Sequence, residues 1–174
     1  GIDYAVVCGR ASTSSSSFSK GYVGPDVLYE LVNLYKGRLF GVAALDALDP
    51  MAPKIAERSV RELGMRGISI EPGWCSEPCY CDDPRLEPIY ETAESLGIFV
   101  MITMSYLIGS DLSYSDPMRL EHVLSRHKGT AFLVPHACWP HYSSMAAVSF
   151  KYPNLYWVPD FFFYLPFMPS VDVM

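Results

Sequence analysis

The feature that most constrains this chain is a rhythm: short apolar runs and helical patterns alternate with a period of about thirty residues, the size of one βαβ unit. Six runs, at 3–9, 38–45, 65–72, 98–105, 130–137 and 154–162, are rich in β-branched and aromatic residues and lack strict alternation. That is the pattern of strands covered on both faces. Between them, 25–37, 52–64, 84–97, 116–129 and 143–153 read as helices. The first four stop at Gly37, Gly64, Gly97 and Gly129; the fifth is expected to start at a Ser143 cap and end before Pro153. In the first helix Leu28, Leu31, Val32 and Tyr35 form one expected inward stripe, and in the third Leu86, Ile89, Tyr90, Ala93 and Leu96 do the same.

Strand-then-helix repetition means a parallel sheet, either an open doubly wound sheet or a (β/α)8 barrel. The first strand is followed by CGRASTSSSSFSKGY rather than a Gly-rich phosphate fingerprint, so a dinucleotide fold loses support. Within that stretch Ser12 to Ser17 reads as a mobile loop.

Composition narrows the class of partner. Half the residues are hydrophobic and 14% aromatic, as a doubly covered sheet requires. A net charge of -6 gives no basic face for nucleic acid. The C-terminal run from Asn154 is interrupted by Asp160, Asp172 and several prolines, so no membrane span is expected. Five cysteines are an odd number without a disulfide framework, which points to a reducing, cytoplasmic setting. The chain opens on Gly1 ahead of a strand-like run and closes on Met174, and is expected to be a fragment of something longer.

The order of segments then becomes informative. GIDYAVV, RLFGVAALDALDP, ELGMRGISIEP, DPRLEPIYETAESLGIFVMIT, DPMRLEHVLSRH, FLVPHACWP and YPNLYWVPD together resemble the amidohydrolase-related family of metal-dependent barrel hydrolases and decarboxylases. The resemblance implies an α/β, (β/α)8 TIM-barrel-like fold of which residues 1–174 form a single partial domain holding strands two to seven. It also implies a His-x-His metal pair on a strand before Gly1, a metal-binding Asp on a strand after Met174, and a divalent ion, zinc or manganese. One departure stands inside the chain: in LGIFVMITMS, Thr103 occupies the position of the family's ligand histidine. A hydroxyl is a poor substitute for imidazole. His136 matches a family histidine that acts as acid/base in the decarboxylases and binds metal in other relatives.

In a barrel, residues at the carboxyl ends of the strands converge on one face. Here those are Cys8 or Arg10, Asp46, Glu71, Thr103 with Ser105, His136 and Asp160. His136 and Asp160 are the candidate catalytic pair: an imidazole that shuttles protons near neutral pH and a carboxylate that orients it. The alternatives are a packed histidine with a satisfied hydrogen bond, and an aspartate that binds a substrate cation or caps a turn. Arg10, Glu71, Thr103 and Trp139 are candidate substrate contacts. Arg10 would grip a carboxylate bidentately or be an ordinary surface arginine, and Glu71 would be a base or an exposed loop carboxylate. Asp46 and Asp49 read as turn and cap residues.

Cys75, Cys79 and Cys81 have a C-x3-C-x-C spacing that matches no familiar zinc knuckle. They would be free loop thiols unless Cys138 or His141 approached to complete a site. His122 and His127 are expected on the surface of the fourth helix.

Two classes of function follow. One is an enzyme of the amidohydrolase type, a hydrolase or a decarboxylase, acting on a small carboxylated or cyclic molecule, with specificity in loops 10–24, 72–83 and 105–116. The other is a catalytically silent relative that binds a ligand or partner. Open strand edges favour a homo-oligomer in either case.

Overall fold

The computed structural model describes residues 1–11, 21–106, 111–158 and 160. All six expected strands form: β1 Ala5–Cys8, β2 Leu39–Ala44, β3 Gly67–Ile70, β4 Phe99–Ile102, β5 Phe132–Pro135 and β6 Leu155–Val158. They alternate with α1 Pro25–Leu34, α2 Ala52–Arg61, α3 Glu87–Leu96, α4 Leu120–Arg126 and α5 Tyr142–Lys151. Every strand pairs in parallel with the next one in sequence, in the order β1 to β6. No strand order reverses, so there is no switch point and the doubly wound alternative is excluded.

The sheet curls. Cys8 Sγ on β1 lies 3.5 Å from Met101 Sδ on β4. Three strand spacings in a flat sheet would hold those positions ~14 Å apart. Six strands of a barrel wall, bent into a half-barrel, account for the contact.

Paired residues of a parallel ladder share a face, so the register sorts the side chains. Val6 pairs with Phe40, Gly67 with Phe99, Met101 with Leu133, and Pro135 with Val158. These line the inside of the curl, together with Cys8. The other set faces the helices, and there Ala43, Ile68, Ile70, Val100, Ile102, Phe132 and Val134 are wholly buried. At Gly67 even a methyl group would lie 2.5 Å from the Phe99 ring, so the ring itself fills that level of the interior.

Sequence also explains the element ends. Gly97 closes α3 in the left-handed conformation (φ 65°), its N–H meeting the Ala93 and Glu94 carbonyls. Asp83 accepts from the Arg85 N–H and starts the turn leading into α3. Three expectations fail. In α1 only Leu28 of the stripe is fully buried, while Leu31 and Tyr35 are exposed, because the helix packs chiefly on β2 at the edge of the half-barrel. Ser143 does not cap α5: the helix begins at Tyr142 with no side-chain cap bond. His127 is not a surface residue but is buried, its Nδ1 3.0 Å from Glu94 and its Nε2 3.0 Å from Glu87. His122 is exposed as expected, with Nδ1 2.6 Å from Asp82. The serine-rich stretch lies outside the described residues, as do Pro159 and the chain from Phe161.

Candidate active site

The carboxyl ends of β1 and β3 carry the first part of the site. Continuing the inward alternation Val6, Cys8, the next position is Arg10; continuing Gly67, Ser69, it is Glu71. Their side chains meet at 3.9 Å (Nη2 to Oε2), three-quarters withdrawn from solvent. Arg10 is fixed from both sides of its backbone, donating to the Val23 carbonyl at 3.0 Å and accepting from the Val23 N–H at 2.8 Å. Its guanidinium lies 5.5 Å from the Trp74 ring centre. Trp74 and Glu71 share one tight turn, the Trp74 N–H donating to the Glu71 carbonyl at 2.9 Å. Burial lifts the Glu71 carboxyl above its ordinary range, and the Arg10 charge opposes that only in part. So Arg10 is not a plain surface arginine, and Glu71 is not an exposed loop carboxylate.

The second part stands beyond β5 and β6. By alternation His136 should follow Phe132 and Val134 outward into the helix layer. It does not. His136, Ala137 and Cys138 all adopt positive φ (61°, 49° and 55°), and this left-handed turn swings the imidazole round to Asp160. Nδ1 of His136 pairs with Oδ2 of Asp160. Left-handed backbone costs a non-glycine residue roughly 1 kcal/mol or more, so three in a row are held by their surroundings: Ala137 and Cys138 are wholly buried. A carboxylate against Nδ1 favours the tautomer that carries its proton on that nitrogen.

The remaining candidates divide. Thr103 is buried beyond β4, its carbonyl accepting from the Tyr106 hydroxyl at 2.7 Å, and that hydroxyl accepting from the Gly73 N–H at 2.9 Å. Trp139 follows the left-handed turn and is half-buried. Asp46 turns the chain after β2, accepting from the Leu48 N–H at 3.1 Å, and Asp49 accepts from the Met51 N–H at 2.8 Å; both are turn residues as expected. Tyr142, the first residue of α5, was not singled out by its sequence. Burial and the neighbouring Asp160 charge lift its phenol. No local pattern marks it, since its approach to Asp160 depends on where α5 docks.

The cysteines are free but not loop thiols in solvent. Cys75, Cys79, Cys81 and Cys138 are buried in the main core, and burial with the nearby Asp46 carboxylate pushes the Cys75 thiol up to about 12. No group of three His, Cys, Asp or Glu placed to hold a metal ion occurs among the described residues. His136 is engaged with Asp160 and Thr103 offers only a hydroxyl, so these residues do not by themselves fit a divalent ion.

A family model described as amidohydrolase matches residues 25–171. The chain belongs to the amidohydrolase family. Among curated proteins, none matches it. Among solved structures, an uncharacterized TIM-barrel protein of Bordetella bronchiseptica is 28% identical over 99% of this chain and 59% of its own, with a TM-score of 0.83. The 5-carboxyvanillate decarboxylase of Sphingomonas paucimobilis is 17% identical over 89% and 56%, with a TM-score of 0.59. That of Novosphingobium aromaticivorans, solved with bound manganese and 3-methoxy-4-hydroxy-5-nitrobenzoic acid, is 20% identical over 88% and 49%, also at 0.59. The amidohydrolase-family chain thus spans between 49% and 59% of the length of these structures. Among its described residues, no helix is long and apolar enough to cross a membrane.

Proposed function

We propose that this chain carries the catalytic rim of a hydrolase of the amidohydrolase type, cleaving a C–O or C–N bond in a small carboxylated or cyclic substrate. The observation that supports it is the His136–Asp160 pair, aimed by a strained turn beyond the strand ends. Strain of this kind persists where geometry is needed. Asp160 accepts a hydrogen bond from Nδ1–H, and Nε2 takes a proton from the water that attacks the acyl carbon. The same nitrogen returns that proton to the leaving oxygen or nitrogen. Arg10 holds a substrate carboxylate, Trp74 keeps the guanidinium in place, and Trp139 and Thr103 border the bound molecule. The divalent ion implied by the family would supply Lewis acidity when bound; its ligands are not found among the described residues.

A second reading is non-oxidative decarboxylation, with His136 delivering a proton to the carbon that loses CO2. The fold likeness to two 5-carboxyvanillate decarboxylases favours it. One assay separates the readings: the full chain incubated with lactones, esters, amides and aromatic carboxylates, with acid release and CO2 release followed in parallel. Acid release abolished by H136N supports the hydrolase; CO2 release abolished by H136N supports the decarboxylase. Ligand binding without turnover supports the silent relative. We place the protein in the cytoplasm, in keeping with five free cysteines, and as a homo-oligomer joined along its open strand edges, which size-exclusion chromatography tests.

A further inference from the structure

We propose that the groove between the C-terminal ends of α1 and α2 is a second binding site, away from the catalytic rim. Its ligand is an aromatic oxyanion, a carboxylate or phosphate carried on a flat ring.

The groove lies at the amino end of β2, with Leu39, Phe40 and Gly41 in its lining. The rim stands at the other end of the same strand, roughly 20 Å away at the rise of extended chain. The groove's volume is about 420 Å3, within the range of small-molecule sites. A cavity of roughly 150 Å3 already takes a benzene ring. Gly37 and Gly64, also in the lining, follow α1 and α2 with φ of 84° and 66°. A methyl group built on either glycine meets nothing within 4 Å, so the mouth between the two helix ends is open. Tyr29, Val32, Leu39, Phe40 and Leu63 supply apolar and aromatic wall.

Charge decides what the ring must carry. Most cations of this acidic chain are already matched. Arg58, Arg61, Arg85, Arg119 and Lys151 pair with carboxylates, and Arg38 holds the Ile2 and Asp3 carbonyls. Lys36 and Arg66 both line the groove, and among the described residues neither side chain meets a carboxylate or a carbonyl. Glu62, the carboxylate of the lining, faces Arg58 at 3.5 Å and leaves both cations uncancelled. Cations just past a helix commonly serve its last carbonyls. Here the backbone has taken those: Tyr35 O accepts from the Arg38 and Leu39 N–H groups, Arg58 O from Glu62 and Leu63, and Ser59 O from Met65. An ammonium and a guanidinium over an apolar slot match an oxyanion on a ring. The cavity of about 550 Å3 at the starts of α2 and α3 differs in this respect, because its Arg85 is spent on Asp83 at 2.8 Å and Glu77 at 3.1 Å.

The probes are β-naphthoate and β-naphthyl phosphate, titrated calorimetrically into the full chain beside neutral β-naphthamide and inorganic phosphate. At least one naphthyl anion is expected to bind about tenfold or more tightly than the amide and inorganic phosphate, and the better of the two names the headgroup. Its affinity should fall about threefold or more between about 0.02 M and about 0.5 M salt. K36Q and R66Q, which change exposed side chains, should each lose about tenfold in affinity with an unchanged urea midpoint. Y29A should weaken the naphthyl anion and leave inorganic phosphate as it was. R10Q and H136N should bind the probe as the parent does, since both residues stand on the rim. Failure of both anions to bind, equal affinity for the amide, or full affinity in K36Q and R66Q overturns the site. Binding lost in R10Q or H136N but kept in K36Q assigns the probe to the rim and overturns it as well. So does self-association that R66Q breaks while no naphthyl anion binds, which gives the groove to a second copy of the chain.

Discussion

Of the three histidines that sit against carboxylates, His127 and His136 have opposite surroundings. His127, at the end of α4, is 4% exposed and has a carboxylate oxygen 3.0 Å from each ring nitrogen. Glu87 is further tied to Arg126 at 2.9 Å, and the amide of Asn154 donates to the His127 carbonyl at 3.1 Å. His136 is 23% exposed, pairs with Asp160 through Nδ1, and stands on a left-handed turn of three non-glycine residues. The first ring is a strut between α3 and α4, with both nitrogens committed to structure. The second is carried at an energetic cost and is oriented by Asp160 through Nδ1. Burial and a carboxylate partner alone therefore do not mark a catalytic histidine.

That contrast breaks most visibly at the carboxylates. D160N should lower kcat/KM about 100-fold or more by losing the tautomer and the charge behind the ring, whereas E94Q should leave it within about twofold; steady-state kinetics of the two variants side by side decide it. Next in size is H127A, which strands two partly exposed carboxylates against the core and should cost about 2–3 kcal/mol in urea unfolding. Its activity per folded molecule should stay near that of the parent. A137V probes the other side at similar energetic cost. A β-branched residue at φ 49° in a fully buried site should destabilise by about 2 kcal/mol, and it should also remove most activity by letting the turn relax. If A137V and H127A lose activity equally, strain at the rim has no catalytic meaning.

The smallest effect concerns pH. Glu71 is raised by burial, so its ionised form is disfavoured in the fold, and the penalty is absent below the ordinary carboxylate range and grows as pH rises through the folded-state value. E71Q should therefore gain up to about 1 kcal/mol at pH ~8 and nothing at pH ~4, read from denaturant midpoints at the two pH values.

Much of this arrangement was legible in the sequence. The six strands and five helices announce themselves because doubly covered strands must be apolar throughout, and because Gly64 and Gly97 terminate helices by their own backbone preference. The rim positions of Arg10, Glu71 and His136 follow from strand ends. What could not be read is the hand of the turn at 136–138: His, Ala and Cys carry no signature of positive φ, so alternation alone sends His136 the wrong way. His127 was misread because SRHKG looks like a solvated helix end, and only the docking of α3 brings Glu87 and Glu94 over it. Cys75, Cys79 and Cys81 were misread for a similar reason, since their segment folds down onto the core instead of standing in water.

The exposed sulfur of Cys8 has a practical consequence. Of five cysteines it is the one not buried, and it lies on the inner wall, where Glu71 contributes to lifting its thiol. The protein therefore carries its own reporter. A maleimide should label this thiol first and slowly, and any occupant of the bowl should shield it, so alkylation monitored by mass spectrometry can screen for ligands without an assay of turnover or an introduced tag.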